Sequence, residues 1–104
     1  ETMSTREVKY LETEGFLQAE TTISNAITKF NEQVTKMRNT TTTLLGSWAG
    51  DGRVEFDTQT TLIMGKLGDI SDELYDLYNA LVEAHQAYID ADEAAAKAGV
   101  IEGK

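Results

Sequence analysis

Apolar residues recur at alternating steps of three and four along the second half of the chain, and this spacing most restricts how the chain can fold. The spaced positions are Phe56, Thr60, Ile63, Leu67, Ile70, Leu74, Leu77, Leu81, Ala84 and Tyr88. A seven-residue repeat of this kind is typical of helices that pack along one stripe. It predicts a helix over about 53–96, whose core or dimer seam includes Ile63, Leu67, Ile70, Leu74, Leu77 and Leu81.

The first half of the chain follows the same spacing less strictly. Its seam positions are Val8, Leu11, Phe16, Ala19, Ile23, Ile27, Phe30, Val34, Met37, Thr41 and Leu44. The chain contains no proline, and a proline inside a helix costs about 3 kcal/mol. We therefore predict a second long helix over about 4–44, with Ser4 and Glu7 as a capping box at its start. The β-branched run Thr40–Thr43 is expected to weaken its end.

A glycine-rich segment separates the two halves. Residues 46–52 read Gly-Ser-Trp-Ala-Gly-Asp-Gly, and this is the strongest helix-breaking segment of the sequence. It predicts a turn over about 45–52, with Asp51 available to cap the second helix. A short connection between two long helices makes them antiparallel. The predicted fold is a single all-α domain over 1–104, an antiparallel helix-turn-helix hairpin with a flexible tail over about 97–104.

Further apolar side chains lie beside the two seams and predict a partner. They are Leu17, Leu45, Leu62, Met64, Tyr75 and Tyr78. Two helices alone cover one narrow stripe each, and every large apolar side chain left exposed forgoes about 1.5–3 kcal/mol of burial. We therefore predict that two hairpins pair into a four-helix bundle. The pattern leaves both a homodimer and a heterodimer with a sister chain open.

The charge of the chain excludes several classes of partner. Its net charge is -9, which repels the phosphate backbone of nucleic acids and the surface of an anionic membrane. No run of about 18 apolar residues exists, so we expect no stable membrane insertion. The start of the chain shows no basic-then-apolar signal peptide, and we expect no cleavable signal.

Residues that could catalyse a reaction or bind a metal do not form a recognisable site in the sequence. His85 is the only histidine, and Val82 stands where a di-iron bundle would carry the glutamate of a Glu-x-x-His pair. The chain has no cysteine, and it carries no nucleophile elbow, P-loop or dinucleotide fingerprint. The carboxylates of Asp72, Glu73 and Asp76 fall on the predicted solvated face. We therefore predict a non-enzymatic protein with no catalytic residue, cofactor or metal.

The single tryptophan lies in the turn, within Trp48-Ala49-Gly50. A tryptophan can close the end of a helical bundle, and Gly50 allows the chain to reverse where a Cβ would clash. This tripeptide, between two heptad helices of nearly equal length and followed by Phe56, resembles the WXG family of ESAT-like early secreted antigens. Nearly the whole chain shares the resemblance. It implies that Trp48 and Gly50 are the signature of the turn.

The resemblance also implies a function and an export signal. Family members carry Tyr-x-x-x-Asp/Glu after the second helix, which Tyr88 and Asp92 match here. Tyr10 and Glu14 have the same spacing near the start of the chain, in the first helix instead of the second. The resemblance implies synthesis in a bacterial cytoplasm and secretion through a type VII system, with that system's membrane ATPase as a partner. The protein would then act as a virulence-associated effector or as a carrier for co-secreted partners.

Two other functions fit the sequence without the resemblance. The seams alone would suffice for a cytosolic coiled-coil adaptor that is not exported. A membrane-disrupting effector would need the apolar faces of the hairpin to open at acidic pH.

Overall fold

The fold is a two-helix hairpin. The computed structural model describes residues 5–102, and it describes side chains for residues 11–97. In this range the chain forms α1 (Thr5–Ser47) and α2 (Arg53–Glu102), joined by a turn over 48–52 and without any strand. The predicted all-α hairpin is confirmed, whereas the pairing of two hairpins stays a prediction.

Both helices extend further than predicted. Helix α1 continues through the threonine run to Ser47, and within it the hydroxyl of Thr41 donates to the carbonyls of Met37, 3.0 Å away, and Arg38, 2.9 Å away. Threonine side chains can satisfy helical carbonyls in this way. The predicted Ser4 cap lies outside the described residues.

The predicted flexible tail is helical over most of its length. Helix α2 passes the expected end near Ala96 and runs to Glu102. The segment 94–98 is rich in alanine, the best helix former, so it prolongs the helix without needing a surface to pack on. Residues 103 and 104 lie outside the described residues.

The hairpin is a rod without an enclosed core. Its dimensions are 82 × 24 × 18 Å and its radius of gyration is 23.3 Å, whereas a compact chain of this length has about 13 Å. Among the residues whose burial is described, Ile27 is the one buried apolar residue, with 4% of its surface exposed. One hairpin therefore buries a stripe on each helix and leaves the rest of its apolar surface in water.

The stripe that α2 turns towards α1 differs in register from the predicted seam. Its half-buried positions are Phe56, Thr60, Met64, Leu67, Ser71, Leu74, Tyr78, Leu81, His85, Tyr88 and Asp92. They include the predicted Phe56, Thr60, Leu67, Leu74, Leu81 and Tyr88. The predicted Ile63, Ile70, Leu77 and Ala84 are replaced by their next neighbours in sequence, and Ile63, Ile70 and Leu77 remain 46%, 41% and 53% exposed in the hairpin.

Polar contacts explain this shift by one residue. The hydroxyl of Ser71 donates to Oδ1 of Asn31 at 2.9 Å, and His85 meets Glu20 across the same interface. These contacts need the positions that follow Ile70 and Ala84 to face α1. An apolar pattern cannot anticipate a seam that includes serine and histidine, because it ranks positions by hydrophobicity alone.

Five of the twelve large apolar residues that are exposed in the described range lie on one side of the hairpin. Ile63, Ile70 and Leu77 each stand one position before a half-buried residue of α2, and Leu44 stands one before the half-buried Leu45 of α1. Successive side chains turn by about 100°, and antiparallel helices turn in opposite senses when viewed from one end. Residues that precede the seam therefore point to the same side from both helices. We call this surface, with the exposed Met37, the apolar flank.

Candidate functional site

The turn is closed by an aromatic pair. Trp48 is half-buried, and its ring lies 5.5 Å from that of Phe56 at an interplanar angle of 42°. A Cβ built on Gly52 would lie 3.4 Å from Cζ2 of Trp48, so the indole packs directly over the backbone of that glycine. The ring thus covers the closed end of the rod, as predicted for a tryptophan at this place.

Two glycines give the turn its shape. Gly50 and Gly52 have φ angles of 151° and 86°, which residues with a side chain rarely adopt. The amide of Phe56 donates to the carbonyl of Gly52 at 2.9 Å, so Gly52 holds the position that caps α2. The residue predicted to cap α2 is Asp51. The structure instead has Gly52 at the N-cap, a position where glycine is also favoured. The Trp-x-Gly tripeptide therefore places its glycine where the backbone requires one.

Arg53, at the start of α2, makes a hydrogen bond with the end of α1 that the sequence pattern did not predict. Its Nε donates to the carbonyl of Leu45 at 3.0 Å. The last carbonyls of a helix lack partners within the helix and carry partial negative charge. Since α1 has no basic residue in its own last turn, the guanidinium reaches it from across the turn. A lone arginine directly after a glycine-rich turn was the available signal.

The open end of the hairpin carries a second aromatic cluster. The ring of Phe16 stacks on His85 with centroids 4.7 Å apart and an angle of 1°, and it lies 5.3 Å from Tyr88. Nδ1 of His85 is 2.6 Å from Oε2 of Glu20. Because a carboxylate only accepts hydrogen bonds, Nδ1 is the donor. Both side chains are mostly buried, with 14% and 16% exposed.

Tyr88, one residue of the predicted export signal, is bonded to α1. Its hydroxyl donates to Oε1 of Glu12 at 2.6 Å. The hydrogen bond to Glu12, together with burial and the charges of Glu12 and Asp92, raises the pKa of Tyr88 from 10.0 to about 12. The other predicted residue, Asp92, is half-buried one turn further on along the same side of α2. Both residues therefore lie on the side of α2 that faces α1.

Glu12, Glu20 and Phe16 were not predicted as site residues. Phe16 was predicted on the seam of the first helix, and neither glutamate was assigned a role. The signal that could have found them is the hairpin itself, since residues equally far from the turn face each other in an antiparallel pair. Counting outward from Gly50 brings Glu12 opposite Tyr88, each 38 residues away, whereas Glu20 and His85 are 30 and 35 residues away and meet diagonally.

The described part of the chain shows no arrangement typical of a metal or membrane site. No group of three or more His, Cys, Asp or Glu residues within it is placed to hold a metal ion. Neither helix, over the residues described, has a stretch apolar enough to cross a bilayer. The surface groove beside Tyr75, lined by Asn31, Glu32 and Lys36, opens broadly to solvent.

Comparison with known proteins places this geometry in a family. The model of the WXG100 family, described as proteins of 100 residues with WXG, matches residues 11–93. The matched range includes both helices, the turn with Trp48 and Gly50, and the pair Tyr88 and Asp92. No curated protein and no solved structure matches the chain significantly.

The family is associated with type VII secretion, is non-enzymatic, and generally pairs as dimers of sister proteins. The match extends over most of the chain, and the expected aromatic turn lies between two helices of the expected length. The chain therefore belongs to the WXG100 family of ESAT-like proteins.

Proposed function

We propose that the protein is a non-enzymatic substrate of a type VII secretion system, exported as a dimer, and that it acts outside the cell as an effector or as a carrier for co-secreted partners. The observation that carries this proposal is the family match over residues 11–93. The same range holds Trp48 and Gly50 in the turn and Tyr88 and Asp92 near the end of α2. In this proposal Tyr88 and Asp92 are the secretion signal, and the membrane ATPase of the system reads it.

The apolar flank supports a dimeric substrate. It holds Ile63, Ile70 and Leu77 on α2 with Met37 and Leu44 on α1, all of them exposed in the single hairpin. The positions between them on the same side include the small or uncharged Ala26, Gln33, Thr40, Gln59, Ala80 and Ala84, together with the charged Lys66 and Glu73. An exposed apolar strip of this length is typical of a surface that another protein covers. The partner is a second copy or a sister hairpin of the same family.

A pair of matched variants tests the dimer. Leu77→Asp would place a charge in the flank, and we expect it to halve the molecular mass measured by light scattering after size exclusion. Val82→Asp introduces the same charge at an exposed apolar position on the opposite side of α2 and should leave the mass unchanged. Circular dichroism checks that both variants keep their helices. A wild-type chain that is monomeric at micromolar concentration, alone and with candidate sister proteins, would contradict this part of the proposal.

Secretion by the native bacterium tests the export function. Protein is measured in the culture supernatant and in the cell pellet, with a cytosolic enzyme as lysis control. Tyr88→Ala, Asp92→Ala and Trp48→Ala should each lower the secreted fraction while the protein persists in the cells. Tyr10→Ala removes the tyrosine that has the same spacing near the start of α1, and it should not lower the secreted fraction. Wild-type protein found only in the pellet would favour the cytosolic adaptor instead.

A further inference from the structure

The proposed export signal lies on the inner side of the hairpin. Half-buried residues of α2 continue at steps of three and four through Leu81, His85, Tyr88 and Asp92. Residues at these steps share one side of a helix. That side is the one that carries the contacts with α1. A receptor that reads Tyr88 and Asp92 together must therefore approach a surface that α1 already occupies.

Two side chains of α1 hold Tyr88 directly. Glu12 accepts a hydrogen bond from its hydroxyl at 2.6 Å, and the ring of Phe16 lies 5.3 Å from its ring. The hydrogen bond to Glu12 is also the largest cause of the raised pKa of Tyr88. Asp92 lies four residues after Tyr88, on the same side of α2, and is half-buried as Tyr88 is.

A second group of contacts between α1 and α2 lies one turn before Tyr88. His85 bonds to Glu20 at 2.6 Å and stacks flat on Phe16 at 4.7 Å. Phe16 therefore contacts both His85 and Tyr88, and it joins the contacts of these two residues with α1 into one cluster. The cluster lies at the open end, where no covalent turn holds the helices together. Such ends open locally at much lower free energy than the whole fold.

We propose that the first turns of α1 mask the export signal, so that Glu12 and Phe16 compete with the receptor for Tyr88. This inference rests on the proposed function, because it assumes that Tyr88 and Asp92 are the residues that the receptor reads. The receptor binds the fraction of molecules in which the open end has separated, and its apparent affinity falls in proportion to that fraction. Loosening the cluster raises export, and tightening it lowers export.

The test compares Glu12→Ala with the charge-matched control Glu32→Ala. Glu32 is an exposed carboxylate of α1 far from the cluster. Glu12→Ala should lower the alkaline titration midpoint of Tyr88, followed by the absorbance of tyrosinate, with Tyr88→Phe identifying that component. It should also speed amide hydrogen exchange in segment 85–97 and raise the secreted fraction several-fold. Glu32→Ala should change none of the three readouts.

The outcomes separate the mask from the export function. Lower secretion of Glu12→Ala would overturn the mask, because Glu12 would then belong to the surface that is read. Unchanged secretion of Glu12→Ala, with Tyr88→Ala blocking export, would also overturn the mask and leave the proposed function standing. Export that survives both Tyr88→Ala and Asp92→Ala would overturn the proposed signal itself, and the mask with it. Faster exchange and higher secretion in Glu12→Ala, together with a block by Tyr88→Ala, would support both.

Discussion

The two ends of the hairpin are built differently. At the closed end, the contacts of Trp48, Gly52, Arg53 and Phe56 join residues that are near neighbours in the chain. At the open end, Glu12 meets Tyr88 and Glu20 meets His85 across almost the whole sequence. The closed end is held by aromatic packing and glycine geometry, whereas the open end combines aromatic packing with hydrogen bonds to the carboxylates of Glu12 and Glu20.

Because of this difference, the closed end stabilises the hairpin, whereas the two helices can separate locally at the open end. Contacts between near neighbours close short loops and cost little chain entropy, so the turn is set locally. Hydrogen bonds between partly exposed side chains contribute less and respond to pH and substitution. In a rod with one buried residue among those described, the open end is therefore the part that can separate without loss of the hairpin.

Trp48→Ala should have the largest effect, because it removes the aromatic cover of the closed end. A fully buried tryptophan costs about 3–5 kcal/mol when cut to alanine, and for the half-buried Trp48 we expect about 2 kcal/mol. Urea unfolding at fixed protein concentration measures the change. The neighbour Val54 is 74% exposed, and Val54→Ala should stay within about 0.5 kcal/mol. Equal losses for the two variants would mean that Trp48 does not stabilise the turn.

At the open end, His85 and Glu20 should show a measurable coupling. Their side chains are 14% and 16% exposed and meet at 2.6 Å, so we expect a coupling free energy of about 1 kcal/mol. The measurement is a double-mutant cycle of His85→Ala, Glu20→Ala and both together, followed by urea unfolding. Losses that simply add would show that the contact contributes nothing of its own.

Arg53→Met should produce a smaller loss at the closed end. The variant keeps most of the length of the side chain but removes the hydrogen bond from Nε to the carbonyl of Leu45. We expect about 0.5–1 kcal/mol, since the last carbonyls of α1 then rely on water. Arg38→Met removes the same charge from an exposed position of α1 and is the control. Thermal melts that rank Arg38→Met as the more damaging change would contradict the capping role.

The smallest effect concerns Tyr88 and appears only at alkaline pH. The pKa of Tyr88 in the folded chain is about 12, above the ordinary 10.0, so folding favours the protonated hydroxyl. Its contribution to stability is complete below pH 10.0 and disappears as the pH rises towards 12. Circular dichroism melts across this window should show a loss that Tyr88→Phe reduces. Tyr75→Phe, which removes an exposed hydroxyl, should not reduce it.

Much of the fold followed from local patterns, while the candidate site followed only in part. Trp48 and Gly50 were found because a single tryptophan in a glycine-rich break is conspicuous. Tyr88 and Asp92 were found through the family resemblance. The apolar spacing also placed Tyr88 on the seam, but it did not place Asp92 there or identify the residues of α1 that contact Tyr88. Arg53, Glu12 and Glu20 were not found, because each acquires its role from a partner on the other helix.

The sequence by itself determined the two helices, the place of the turn and their antiparallel arrangement. These depend on apolar spacing, the absence of proline and the position of glycines, which act over a few residues. The tertiary structure decided which edge of each apolar stripe packs inside the hairpin. Ser71 bonds to Asn31 and His85 to Glu20, and this leaves Ile70 and Leu77 on the exposed flank. A shift of one residue rotates a side chain by about 100°, and only the opposing helix can choose between two such neighbours.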